Sequence, residues 1–253
     1  MSKMKFNKEY LNFVQSLSTI SESIIFKKAI ETNVGFISKT EAEAIEDIKI
    51  IDDKEKIFIS SENDSSTIKY FLFAKPENFE FDSDEIAFYN FNEFYNLLQV
   101  FTTPDIEQKE NKITISEGKT KIKYLLSDAE VLKRGPKKLL IKDKSDVKFV
   151  LTKEQLKELK KIISLLGSAK CQFEISKDKL ICKLFNDSHD NSFEKEYEIK
   201  EKNTDELSMI ISSEIFTLIP DLDYTIEIIS EGLIIVKYQN KEFAIRFFVA
   251  EKE

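Results

Sequence analysis

Two periodicities take turns along this chain. Short runs with the 3.6-residue spacing of a helix are each followed by runs in which apolar and polar residues alternate, the period of a half-buried strand. The sequence recurs near residues 8, 93, 154 and 213. In the second copy IAFYNF leads into NEFYNLLQVF, where Phe94, Leu97, Leu98 and Phe101 stand at i, i+3, i+4 and i+7 and so form one buried stripe. KITIS and TKIKYLL then alternate about a polar turn containing Gly118, which predicts an antiparallel hairpin. The third copy keeps the order: VKFVL, the helix KEQLKELKKIISLL, AKCQFEI and KLICKLF about SKDK, then FEKEYEI after a polar loop. The fourth gives LSMIIS, the short helix SEIFTLI stopped by Pro220, then DYTIEII, GLIIVKY and KEFAIRFFVA. The first is the most blurred, with MKF, KEYLNFVQSL, SIIFKKA and VGFIS. A recurring order of elements predicts an α+β chain built from one supersecondary unit used four times, each copy unable to bury its apolar face alone.

Length divides the repeats two and two. With 253 residues the chain holds two domains of ordinary size, each with apolar residues enough for a core. Between the halves lies DAEVLKRGPKKLLIKDKSD, with the one Gly-Pro pair of the sequence and a dense run of charge, as a surface connector would have. The expected division is residues 1–130, a connector 131–147, and residues 148–253. At 42% hydrophobic and 33% charged residues the chain reads as soluble and globular, without a signal peptide and without an apolar run near the roughly 20 residues of a membrane span.

Candidate chemistry is sparse. Cys171 and Cys182 fall in the two strands of one hairpin and fit small buried residues in a reducing compartment. The sole histidine, His189, sits in the loop NDSHDNS with no metal-ligand spacing, and no metal or cofactor is expected. No GxSxG, P-loop or GxGxxG occurs, and five glycines leave little for a phosphate-cradling loop, so an enzyme is not expected. The carboxylates of FEFDSDE and DIEQKEN read as polar turns.

Charge placement adds more than the net charge of -8. At ~100° per residue, Lys153, Lys157 and Lys160 fall within ~60° of one another with Lys161 at their edge, opposite Leu156, Leu159, Ile162, Ile163 and Leu166. A solvated lysine face and a sequence-independent phosphate contact both fit this arrangement. Lys3, Lys5 and Lys8 stand near the first helix, and Lys133, Arg134, Lys137 and Lys138 in the connector. The second helix offers Asn92, Asn96, Gln99 and Glu93, and the fourth Glu214.

Across nearly its whole length the chain resembles the sliding clamps of replicative DNA polymerases, and within them the trimeric clamps of T4-like phages. The resemblance lies in LSTISESIIF, IAFYNFNEFYNLLQVF, LTKEQLKELKKIISLL and the closing AIRFFVAEKE, together with the four repeats. The stretch from Glu41 to Asp84 is longer and richer in charge than the family pattern. The resemblance implies a DNA clamp fold of two similar domains whose helices line the inside of a ring of three head-to-tail subunits. It implies double-stranded DNA, a DNA polymerase and an ATP-dependent clamp loader as partners, and action in the cytoplasm, that of a host if viral. It places Lys3, Lys5, Lys8, Lys153, Lys157, Lys160 and Lys161 toward DNA, and Leu139, Leu140, Val249 and Ala250 in the wall of a partner-peptide pocket. A structural virion or scaffold protein assembled from the same repeats is the alternative, and a site formed by acidic loops after folding is a third reading.

Overall fold

The computed structural model of the protein describes residues 2–30, 35–38, 55–136, 138–141, 145–167, 169–176, 179–204 and 206–252. In the first half β1 (Ser2–Lys3) and β2 (Lys5–Phe6) precede α1 (Lys8–Leu17), then β3 (Ile24–Ile30), β4 (Gly35–Ser38), β5 (Glu55–Glu62) and β6 (Ile68–Ala74). A single 3-10 turn at Pro76–Asn78 leads to β7 (Phe79–Glu80), β8 (Glu85–Phe88) and α2 (Phe91–Leu98). The meander β9 (Asp105–Lys109), β10 (Lys112–Glu117) and β11 (Thr120–Leu125) follows, and the connector contributes β12 (Lys138–Ile141). The second half runs β13 (Val147–Leu151), α3 (Lys153–Leu166), β14 (Lys170–Ser176), β15 (Lys179–Asn186) and β16 (His189–Lys202). It ends with β17 (Ser208–Ser212), α4 (Glu214–Leu218), β18 (Tyr224–Ile229), β19 (Leu233–Gln239) and β20 (Phe243–Ala250).

Helix starts follow local chemistry. The Asn7 side chain accepts from the N–H groups of Glu9 at 2.9 Å and Tyr10 at 3.3 Å, and Asn90 accepts from Glu93 at 2.9 Å. At α3 a capping box forms: Gln155 N–H donates to the Thr152 hydroxyl at 3.3 Å while Thr152 N–H donates to the Gln155 side chain at 2.9 Å. Gly167, at φ 56°, closes α3 in the left-handed conformation.

Three differences from the sequence expectation have physical causes. The charge-rich stretch before Asp84 contains β5 and β6, and β6 is buried along nearly all its length, so it shows a continuous apolar run where alternation was the signal sought. DIEQKEN, read as a turn, supplies β9, where Ile106 alone is a buried apolar anchor. His189 opens β16 and the polar loop shrinks to a turn; the exposed outward side of this 14-residue strand is polar and mimics loop composition.

The strands form one 12-stranded sheet in the order β17-β14-β15-β16-β13-β18-β19-β20-β6-β5-β3-β8 and a four-stranded sheet β1-β9-β10-β11. A parallel pair joins β12 to β4, and an antiparallel pair joins β2 to β7. The large sheet crosses between the two halves of the chain because β20 pairs antiparallel with β6, from Phe243 opposite Ala74 to Val249 opposite Ile68. Packing is shared as well. Phe13 of α1 meets Phe243 at 4.5 Å and Tyr238 at 6.3 Å between ring centroids, and the main core runs without a break from Met4 to Val249.

All four helices bury their apolar faces in that core, so they lie on one side of the sheet. Alternate residues face the other side. There Phe58, Phe71, Phe73, Ile229, Ile235 and Phe248 form a second buried cluster around the β20–β6 junction. The connector crosses this outer side: Ala129 and Leu132 pack on Ile25 and Ala87, the Lys133 ammonium donates to Asn63 O at 3.2 Å, and Arg134 pairs with Glu85 at 3.0 Å. A Cβ on Gly135 would collide with the Ser60 backbone, so only glycine lets the chain pass this close to β5. Cys171 and Cys182 lie diagonally in one hairpin with Sγ atoms 3.3 Å apart, as free, fully buried thiols.

Candidate nucleic-acid interface

The helix layer is continuous. Between α1 and α2, Gln15 donates to Asn92 at 2.9 Å and the Tyr95 hydroxyl donates to Asn12 at 3.3 Å. Between α1 and α4, the Thr19 hydroxyl at the end of α1 donates to Leu218 O at 3.3 Å. Between α4 and α3, the Lys160 ammonium donates to Ile219 O at 2.7 Å and to Asp221 at 2.5 Å. The helices therefore stand side by side in the order α2, α1, α4, α3, and their outward residues make one surface.

That surface is not uniformly basic. Lys153, Lys157 and Lys161 project from α3 into solvent, and among the described residues no ion pair holds them. Glu154 shares their face, while Glu158 is engaged by Lys195 of β16. The α1 and α2 portion presents Asn12, Asn92, Asn96 and Gln99 together with Glu9 and Glu93, and α4 presents Glu214 and Thr217. Positive charge is thus confined to a strip along α3, beside a neutral amide surface.

The other lysines taken from the sequence fall elsewhere. Met4 is buried in the core, so strand alternation turns Lys3 and Lys5 away from the helices, where they lie 3.7 Å from Asp105 and 3.5 Å from Glu80. The structure does not bring these two to the α3 strip. Lys8 opens α1 at the margin of the layer, with its ammonium 3.4 Å from Thr102 O. Lys160 is a correction to the expected phosphate contact: its side chain is 26% exposed, and its ammonium is engaged by Asp221 and by the carbonyl of Ile219, the residue that follows α4. The helical wheel put it with Lys153 and Lys157, but it sits at the flank of α3 that meets α4, and the wheel carries no information on the neighbour.

The expected peptide-pocket residues also separate. Val249 is fully enclosed in the main core and lines no accessible surface, a second correction that follows from alternation. Its neighbour Phe248 turns to the outer cluster, and Ala250 is exposed at the strand end. The backbone of Leu139 and Leu140 pairs in parallel with Phe36 and Ile37; their side chains lie outside the described part.

Among the described residues, and apart from β17 and β8 at the ends of the large sheet, two strands keep a long side unpaired. There β11 pairs with β10 alone, and residues 189–198 of β16 pair with β15 alone. Nothing in the alternation of residues singles out these edges, since it does not encode pairing partners. No helix is long and apolar enough to cross a membrane, and among the described residues no cluster of metal-ligating side chains forms.

No protein-family model matches the sequence and no curated protein does. Solved structures do. The proliferating cellular nuclear antigen (PCNA) of Entamoeba histolytica matches at TM-score 0.69 and 13% identity over 100% of this chain and 98% of its own. The A. fulgidus PCNA bound to the C-terminal region of FEN-1 matches at 0.67 and 12% over 100% and 99%. PCNA of Thermococcus kodakaraensis matches at 0.67 and 14% over 99% of both chains. The chain therefore has the DNA sliding-clamp fold, an α+β fold, across its full length. These neighbours are PCNA-type clamps and none is a phage clamp; the phage subtype rests on the sequence stretches alone.

Proposed function

We propose that this protein is the non-catalytic subunit of a sliding clamp, closing with two further copies into a ring around duplex DNA and holding a DNA polymerase on its template. The observation that carries the reading is an unfinished repetition. The order β8-β3-β5-β6 in the first half matches β17-β14-β15-β16 in the second, and β9-β10-β11 matches β18-β19-β20. Within the chain β20 docks on β6. The counterparts of those two strands, β11 and β16, are the ones left open, so the same junction made between copies continues the sheet head to tail. A closed rotation then puts every helix layer on one side, around a central passage.

Three copies carry 3 × -8 = -24 charges, so net charge does not attract DNA. Ring topology retains the duplex, and the α3 strip of Lys153, Lys157 and Lys161 gives each subunit a weak, sequence-independent contact with phosphate. The amide-rich remainder adds no grip that would stop sliding. Partners follow from the same reading: a polymerase whose apolar peptide anchors near the connector, beside Ala250, Leu139 and Leu140, and an ATP-dependent loader that opens the ring. The domain division at 131–147 and a place of action wherever cytoplasmic DNA is replicated belong to this reading too.

The test is topological. Protein opened in mild urea and reclosed by dilution over nicked circular DNA is challenged with excess competitor duplex. Retention on circles and release after linearisation is expected. Equal retention on both forms, or none on either with a trimer present in solution, refutes DNA encirclement and leaves an assembly-only scaffold.

A further inference from the structure

The two open edges differ in chemistry from the junction they resemble. On the outer face of the β20–β6 junction the neighbours are Phe71, Phe73 and Phe248, all buried. The outward residues of β11 are Lys121, Lys123 and, at the strand end, Leu125, which alternate with the inward Ile122 and Tyr124 and are exposed. The outward residues of β16 are Glu194, Glu196 and Glu198, which alternate with the inward Phe193, Lys195 and Tyr197 and are also exposed. No carboxylate among the described residues pairs with Lys121 or Lys123. Glu194 and Glu196 already touch Lys183, at 3.3 Å, and Lys179 on the neighbouring strand. A cation arriving from the open side would complete an alternating ladder in which each of these glutamates sits between two ammonium groups.

We propose that self-association is selected by charge: the lysine edge of β11 in one copy seats on the glutamate edge of β16 in the next. This rests on the ring reading and names what specifies its contact. Side-chain spacing permits it in any register that keeps inward residues together, because lysines and glutamates both recur every second residue on the outer face. Half-buried Ile122 and Phe193 then meet on the inner side and close the core between copies. Like edges repel, so two copies do not pair β11 with β11 or β16 with β16, and only the head-to-tail contact that closes a ring survives. The β20–β6 junction inside the chain is a strand pairing backed by aromatic burial and kept together by the continuous chain; the junction between chains uses screened ion pairs and opens reversibly.

The experiment uses the full chain in sedimentation and light scattering. Raising NaCl from about 0.05 to about 0.5 M shortens the screening length from about 14 to about 4 Å, and the wild-type assembly is expected to dissociate roughly tenfold more readily. Lys121→Glu with Lys123→Glu is expected to weaken self-association roughly a hundredfold with an unchanged circular-dichroism melt; Glu194→Lys with Glu196→Lys and Glu198→Lys weakens it as far and also lowers the melt, because Lys183 and Lys179 then face like charge. All five changes in one chain restore it, since the edges are again complementary. An equimolar mixture of the two edge variants forms even-numbered assemblies, because a three-membered ring of alternating partners leaves one like-charged contact. Wild-type protein that assembles but ignores salt and both edge reversals overturns the charge inference and leaves the ring standing. Failure of the five-fold variant to reassemble overturns it as well, and a wild-type chain that stays monomeric at every salt overturns both.

Discussion

Lys160 separates a structural cation from a DNA-facing one within a single helix. Its ammonium donates to Ile219 O at 2.7 Å and to Asp221 at 2.5 Å, with the two side chains 26% and 36% exposed. A hydrogen bond to a charged group contributes about 1.5–3 kcal/mol when shielded, and partial exposure reduces this, so Lys160→Ala is expected to cost about 1–2 kcal/mol. With a urea dependence of about 2–3 kcal/mol per molar, the unfolding midpoint falls by about 0.5 M. Asp221→Ala costs a similar amount, and the double variant less than the sum, by a coupling of about 1 kcal/mol. Retention on circular DNA stays within about twofold of wild type, because no phosphate contact is removed. Lys157→Glu with Lys161→Glu gives the reverse pattern: stability changes by at most about 0.5 kcal/mol, while retention and polymerase stimulation fall. If Lys160→Ala leaves the urea midpoint untouched and lowers DNA retention as far as the Lys157 and Lys161 changes do, the structural role of Lys160 is wrong.

Three further outcomes are expected. Burial alone would raise the Glu62 carboxyl, but the Ser66 hydroxyl and the Lys133 and Lys69 ammonium groups outweigh it and hold it below the ordinary 4.5; a depressed folded value stabilises above the unfolded one and is lost on acidification. Protection of the connector amides around Lys133, taken relative to their intrinsic exchange rates, should therefore fall as pH drops below 4.5 and on through the folded value, and Glu62→Gln should remove that dependence; the same protection profile in both proteins would refute it. Among the described residues no group hydrogen-bonds the buried Tyr10 hydroxyl, so Tyr10→Phe should leave thermal stability unchanged or raise it by up to about 1 kcal/mol, and a loss of that size would show a missed partner. Burial pushes the Cys171 thiol well up and Cys182 is equally enclosed, so neither should react with a thiol reagent in the native state, while both react in urea; rapid native labelling would contradict the packing.

Helices were legible in the sequence because the information is local: the periodic stripes mark them, and Pro220 stands where the last one stops, while the caps Asn7, Asn90 and Thr152 emerged with the structure. Strands with one wet face were legible for the same reason. β6 and β9 were not, the first because both its faces are covered and the second because a single isoleucine anchors it. The site divided along the same line. Lys157 and Lys161 could be placed from the α3 periodicity, whereas Lys160 depended on where α4 ends and Lys3 on which side of β1 the core lies. Val249 illustrates the finest grain: a one-residue change in parity separates it, sealed in the main core, from Phe248 on the outer side.

The pairing of β20 with β6 also sets an order of events during synthesis. Phe243 must meet Ala74, more than half the chain away, before the large sheet is continuous. A strand built of IKYFLFA therefore leaves the ribosome with one side open and stays so until residues 243–249 are made. Such a distant closure slows folding, and for its duration β6 offers Phe71 and Phe73 on an exposed edge able to pair with a second nascent chain. Truncation before Phe243 is then expected to release an aggregating product, so β20 guards the solubility of the first half of the molecule.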